Sequence, residues 1–175
     1  MYKIDITKHF ESLNFEAIYW GIKNDIIDTN AAIEYADAYA IANTDECSQS
    51  VIDILLSEDI TKEEMLMLLK KASGLKVLQS ETKSMFILRI IILSELQNKS
   101  SNELLLKLEK VYADFDYPSD MNDFIYYMPP EDGYDPSTHS DKENEARLIN
   151  KFNEFINTWK EKIWIVLNVF FAAKK

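Results

Sequence analysis

A chain of 175 residues, 47% hydrophobic and 12% aromatic, carries enough apolar side chain for one domain with a substantial core, which excludes disorder of the whole chain. Three glycines and four prolines are too few for the tight turns of an all-β protein of this size, so the expected fold is all-α: a single-domain helical bundle or an irregular stack of antiparallel helices. The formal charge of −11 excludes nucleic acid as an expected ligand, because neutralising phosphates needs clustered Lys and Arg.

At the N-terminus Tyr2, Ile4 and Ile6 alternate with polar residues in a strand-like pattern, without an obvious partner strand. Helical spacing begins after Asn14, a good cap, with Phe15, Ile18, Tyr19 and Ile22 on one face. A turn over 24–30 leads to a second helix through about Ala42, for which Asn30 can act as cap. Its apolar stripe reads Ile33, Ala36, Ala40 and Ile41, with Tyr35 and Tyr39 stacked at four-residue spacing. Thr44 and Asp45 are placed to cap a third helix, with Val51, Ile52, Leu55 and Leu56 facing inward. Thr61 and Glu64 have the spacing of a capping box, Met65, Leu66, Leu68 and Leu69 supply a core face, and Gly74 is placed to end that helix.

Ser80 can open the next helix, whose centre, MFILRIIILSEL, is apolar on nearly every side, as a central helix requires. Ser100 with Glu103 repeats the capping-box spacing, and Leu104, Leu105, Leu108, Val111 and Tyr112 recur at helical intervals up to Tyr117 and Pro118. All four prolines and Gly133 then fall between Pro118 and Pro136, so residues 117–140 read as a long acidic, Tyr- and Pro-rich connection with one helical turn around 120–127. Ser140 with Glu143 makes a third capping-box pattern. Leu148, Phe152, Phe155, Trp159, Ile163, Leu167 and Phe170 continue at three- and four-residue spacing as one long or slightly broken helix.

The two most apolar windows, 85–93 and 163–173, fall short of the roughly 20 residues of a membrane span and read as buried helix, so no membrane association is expected. One cysteine, Cys47, cannot form an internal disulfide, and the first residues lack a basic region followed by an apolar run. The expected compartment is a reducing cytoplasm. Charge is polarised along the chain: 25–64 holds eleven acids and one base, 114–145 holds ten acids and one base, and the remainder is net basic.

Neither His9 nor His139 sits at metal-ligand spacing, and no Walker loop, dinucleotide fingerprint or His-Glu-x-x-His element occurs, so no cofactor and no catalytic residue are expected. Acidic neighbours oppose thiolate formation at Cys47, which reads as an inert, partly buried thiol. Asp114, Asp116, Asp120 and Asp123 invite comparison with a calcium loop, but the sixth and twelfth positions are Ser119 and Ile125 instead of glycine and glutamate. Carboxylate density alone has no specificity for glycoside hydrolysis in so acidic a chain.

The feature that remains is the interleaving of aromatics with acids. Phe115, Tyr117, Phe124, Tyr126, Tyr127 and Tyr134 lie among Asp114, Asp116, Asp120, Asp123, Glu131, Asp132 and Asp135. Tyrosines give rigid contact area with a polar tip, and carboxylates steer a basic protein partner. Equally, the aromatics can anchor a long loop while the acids keep it soluble, and both readings can hold for different residues. The candidate partner-binding set is Asp114, Asp116, Tyr117, Asp120, Asp123, Tyr126, Tyr127, Glu131, Asp132, Tyr134 and Asp135.

The segments WGIKNDIIDTNAAIEYA, from Trp20 to Ala36, and YADFDYPSDMNDFIYYMP, from Tyr112 to Pro129, resemble an uncharacterised bacterial family of helical proteins found in part beside polymorphic toxin genes. The resemblance covers most of the chain and brings no active site with it. It implies an immunity-type role, in which a small cytoplasmic protein binds and neutralises a toxic domain, and a basic nuclease domain suits an acidic inhibitor. Two other readings stay open: a helical scaffold or adaptor for another host protein, and a carboxylate- or metal-dependent enzyme of unfamiliar type.

Overall fold

In the computed structural model, which describes residues 1–44, 47–57, 59–74 and 81–172 without the side chains of 81 and 161–172, every regular element is helical. The all-α expectation therefore holds. The alternation at Tyr2, Ile4 and Ile6 does not become a strand, because among the described residues there is no strand for it to pair with. Tyr2 donates one backbone N–H to the Ile26 carbonyl (2.7 Å), and the Asp5 carboxylate accepts the Lys8 N–H (3.0 Å) to start a one-turn helix, α1 (Ile6–His9).

The chain divides into two compact units, Met1–Ile91 and Ile92–Lys175. In the first, the Asn14 side chain accepts the Ala17 N–H (2.8 Å) and caps α2 (Phe15–Lys23). The helix ends with Asp25 in the left-handed region (φ 57°), where Ile26 N–H donates to Gly21 O (2.8 Å) and Asp25 N–H to Ile22 O (3.2 Å). This left-handed cap usually takes glycine. It tucks Ile26 and Ile27 into the core at 6% and 1% exposure, in a stretch that reads as plain turn. Gly21 itself is needed for close approach, since a Cβ there would lie 2.6 Å from Leu88 and 2.8 Å from Ile27.

Asn30 is the first residue of α3 (Asn30–Ala42) and not its cap; Asp28 accepts the Ala31 N–H instead, at 3.3 Å. The buried face is Ala31, Ala32, Tyr35 and Ala36, while Ile41 is 72% exposed. Tyr35 and Tyr39 do not stack: their rings are tilted at 6.5 Å, with Phe15 at 4.9 Å and 5.2 Å from the two. The buried Tyr35 hydroxyl donates to the Leu13 carbonyl (3.1 Å), and burial, then Tyr39, pushes its pKa up. Helix α4 (Gln49–Leu55) starts after Ser48 and buries Val51 and Ile54; Ile52 and Leu56 face solvent, so the expected phase was shifted. In α5 (Lys62–Ala72) the Thr61–Glu64 capping box forms, Met65 and Leu69 are buried, and Gly74 (φ 67°) follows the end. α2 packs on α3 and α5, α4 on α3 and α5, and α1 on α3.

Helix α6 (Glu81–Leu96) runs from the first unit into the second. Residues 87–94 are buried without a break, covering every face of two turns, as the continuous apolar run requires. Arg89 is 2% exposed with its guanidinium 5.2 Å from the Phe86 ring centroid. In the second unit α7 (Ser101–Asp114) buries Leu104, Leu108, Val111 and Tyr112. Its expected capping box does not form: the Ser100 side chain makes no cap bond, and Glu103 is taken by Lys107 (2.9 Å) and Lys99 (3.6 Å). The connection contains 3-10 turns at Ser119–Phe124 and Pro136–Thr138 before α8 (Asp141–Ala172), which the Ser140–Glu143 box opens (2.8 and 3.4 Å). α8 packs on the Ser119–Phe124 turn and on α7, with Leu148, Phe152 and Ile156 buried. The expected cap at Asp45, the helix start at Ser80 and the side chains of Ile163, Leu167 and Phe170 lie outside the described residues. Among the described residues no helix is long and apolar enough to cross a membrane.

Candidate functional site

The acidic connection is anchored over its first part by buried aromatics. Phe115 and Phe124 are 2% and 1% exposed, and the Phe124 ring sits 5.7 Å from Phe152 and 5.1 Å from Phe155 of α8. Burying rings of this size is worth about 1.5–3 kcal/mol each. These aromatics anchor the segment, and exposed polar and aromatic residues lie between and beside them.

The upstream end is set by the exit from α7. Asp116 (φ 61°) and Tyr117 (φ 55°) are both left-handed, with Tyr117 N–H donating to Tyr112 O (2.8 Å) and Asp116 N–H to Ala113 O (3.1 Å). These are the two backbone bonds of the left-handed cap again, with aspartate where glycine is usual. The Tyr117 ring meets the Tyr112 ring edge-on at 5.3 Å, supplying the side-chain contact that accompanies such a cap. Tyr112 also lies 6.3 Å from Tyr127, and its hydroxyl donates to Asn122 Oδ1 (2.8 Å). One buried tyrosine thus positions two exposed ones. Desolvation, then Tyr112, Glu109 and Tyr117, pushes the Tyr127 hydroxyl pKa up.

The downstream end is tied to α8. Asp132 accepts two hydrogen bonds from Arg147 Nη2 (2.8 and 2.7 Å) and lies 3.3 Å from Lys151 Nζ. Those bonds, chiefly from Arg147, pull its carboxyl from 3.8 down to about 2. The Arg147 guanidinium lies over the Tyr134 ring at 4.5 Å, His139 stacks on that ring at 4.5 Å, and Tyr134 Oη donates to Asn144 Oδ1 (2.7 Å). Asp135 caps the short Pro136–Thr138 turn through the Ser137 N–H (2.9 Å) and hydroxyl (2.7 Å), which hold its carboxyl below the usual range.

The candidate residues therefore separate into two groups. Asp132, Tyr134 and Asp135 fasten the segment to the chain itself, and Asp114 pairs with Lys110 at 2.6 Å. Tyr117, Tyr126 and Tyr127 are 60%, 61% and 56% exposed, and Asp116, Asp120, Asp123 and Glu131 are exposed beside them in the sequence. Tyr112, Asn122, Asn144 and Arg147, which hold the arrangement, were not in the candidate partner-binding set read from the sequence. A usable signal was present in Arg147 and Lys151: two cations one helical turn apart, directly after a long acidic stretch.

Between the connection and the first turns of α8 lies a half-open recess of about 190 Å³, lined by Asn122, Asp123 and Tyr126 on one side and Asn144, Arg147 and Leu148 on the other. Among the described residues, no three His, Cys, Asp or Glu side chains converge on a point where a metal ion would sit. Cys47 is half-buried with a free thiol.

The chain belongs to a bacterial family of uncharacterised proteins, DUF2247, whose sequence model matches residues 4–160. No curated protein and no solved structure matches it.

Proposed function

We propose that this member of the family is a non-enzymatic, cytoplasmic binding protein of the immunity type, which neutralises a basic, nuclease-type toxin domain by direct contact. The observation that carries this reading is the set of exposed tyrosines, Tyr117, Tyr126 and Tyr127, interspersed with the exposed carboxylates of Asp116, Asp120, Asp123 and Glu131 on a segment pinned by buried rings. Pinning matters energetically. A pre-ordered surface loses less conformational entropy on association, and tyrosine, with two side-chain torsions, adds contact area at low entropic cost. The carboxylates supply long-range steering toward a basic surface, and a toxin that grips nucleic acid must present one.

Co-expression with the product of the adjacent gene tests this. The chain is expected to rescue growth, and a variant carrying Asp120→Lys, Asp123→Lys and Glu131→Lys, which leaves the left-handed Asp116 in place, is expected to lose rescue with its helical circular dichroism unchanged. Rescue that persists in the reversed variant would move the interface away from this segment; absence of rescue by the unaltered chain would refute the immunity reading.

A further inference from the structure

We propose that the recess beside Asp123 is a socket for a single arginine side chain projecting from the protein partner, a deepening that rests on the reading of this surface as a protein interface. Size is the first argument. About 190 Å³ falls below the roughly 300–1,000 Å³ of sites that enclose cofactors or comparable small molecules, and it matches one long side chain.

Lining chemistry is the second argument. Met128, Pro130 and Leu148 offer apolar surface for a methylene stem, while Asp123 and Tyr126, both exposed, bring a carboxylate and an aromatic face. A guanidinium uses both at once, pairing with the carboxylate and stacking on the ring.

Charge is the third. The recess already contains a cation, Arg147, but Asp132 holds it through two hydrogen bonds and Tyr134 lies beneath it. Its charge is compensated, whereas Asp123 makes no ion pair among the described residues and stands in a stretch, 114–145, with ten acids and one base. Lys151 adds a second cation beside Asp132, at 3.3 Å, so it is Asp123 at the rim that favours a cation over a carboxylate here. A socket of this kind, walled by side chains and rimmed by tyrosine, is where the dominant residue of an interface sits.

The test uses Nα-acetyl-arginine amide as probe, titrated into the isotope-labelled full chain at low salt and followed by amide NMR shifts. Saturable shifts are expected at Asn122, Asp123, Tyr126 and Asn144. Asp123→Asn and Tyr126→Ala, both at exposed positions, are each expected to weaken the response roughly two- to fivefold. Nα-acetyl-glutamate amide and Nα-acetyl-tyrosine amide are expected to leave these signals unmoved. The proposal is overturned if the arginine probe gives no saturable response, if Asp123→Asn leaves it unchanged, or if the glutamate or tyrosine probe binds equally well. Because the probe is not the toxin, a normal arginine response with failed growth rescue refutes the immunity reading and leaves the socket standing, and the converse pattern refutes the socket alone.

Discussion

Replacing Asp116 by Gly and by Ala separates the backbone role of this position from its charge. Asp116 has φ 61°, and its N–H and that of Tyr117 close the end of α7 on Ala113 and Tyr112. Alanine, with a Cβ and no compensating polar group, suffers a left-handed penalty of about 1–2 kcal/mol there. Glycine escapes that penalty but loses about 0.5–1 kcal/mol more to the entropy of the unfolded chain. The difference favours glycine by about 0.5–1 kcal/mol, the reverse of the order expected inside a helix. Urea unfolding of the two variants, fitted with a common slope, resolves a difference of this size. Both lack the carboxylate, so both are expected to associate more slowly with a basic partner. An alanine variant as stable as the glycine variant would refute the account of how α7 ends and of what orients Tyr117. Asp25 provides a comparison, since it has the same backbone role at φ 57° but also pairs with Lys62 at 2.6 Å; Asp25→Gly is expected to be less favourable than Asp116→Gly.

Phe124→Ala removes a ring that is 1% exposed and touches Phe152 and Phe155, and is expected to cost about 3–5 kcal/mol in denaturant unfolding; a loss below about 1 kcal/mol would mean that the connection is not anchored there. The Asp132 carboxyl is expected to titrate at about 2 in carboxyl-carbon NMR, and Arg147→Gln to return it toward 3.8. Its folded pKa lies below its unfolded value, so the stabilisation from this group is present above 3.8 and is lost as pH falls through 3.8 toward 2. Thr61→Ala and Ser140→Ala, which break formed caps, are each expected to cost about 1 kcal/mol, whereas Ser100→Ala should change stability by less than about 0.5 kcal/mol.

That contrast among three identical spacings marks what the sequence can reveal. Capping boxes depend on residues three apart, and at Thr61 and Ser140 the glutamate returns to the cap. At Ser100 the same pattern fails because Lys99 and Lys107 draw Glu103 away. The all-α class and the positions of α2, α3, α5, α7 and α8 followed from apolar periodicity. The phase of burial did not follow as well: Ile41, Ile52 and Leu56 lie outward because the helices packed on α3 and α4 choose the buried face, a long-range effect. The ends of α2 and α7 were legible to within a few residues, but the form of their caps was not, because aspartate instead of glycine takes the left-handed position at 25 and 116.

Within the candidate site, the aromatic and acidic composition was readable but the division of labour was not. Whether Asp132 or Asp123 is available depends on where Arg147 and Lys151 reach, and those cations lie in another element. The same holds for Tyr134, which Asn144, His139 and Arg147 hold, and for Tyr126, which stays 61% exposed.

Whether the exposed carboxylates and tyrosines of this segment receive a basic protein can be read from the association rate of the full chain with the product of the adjacent gene, measured as salt rises from about 10 to about 300 mM. Steering by these acids predicts a fall of about tenfold or more across that range, and a much flatter dependence in the Asp120, Asp123 and Glu131 to Lys variant. A rate that does not respond to salt, or one that the reversed variant leaves unchanged, would contradict it.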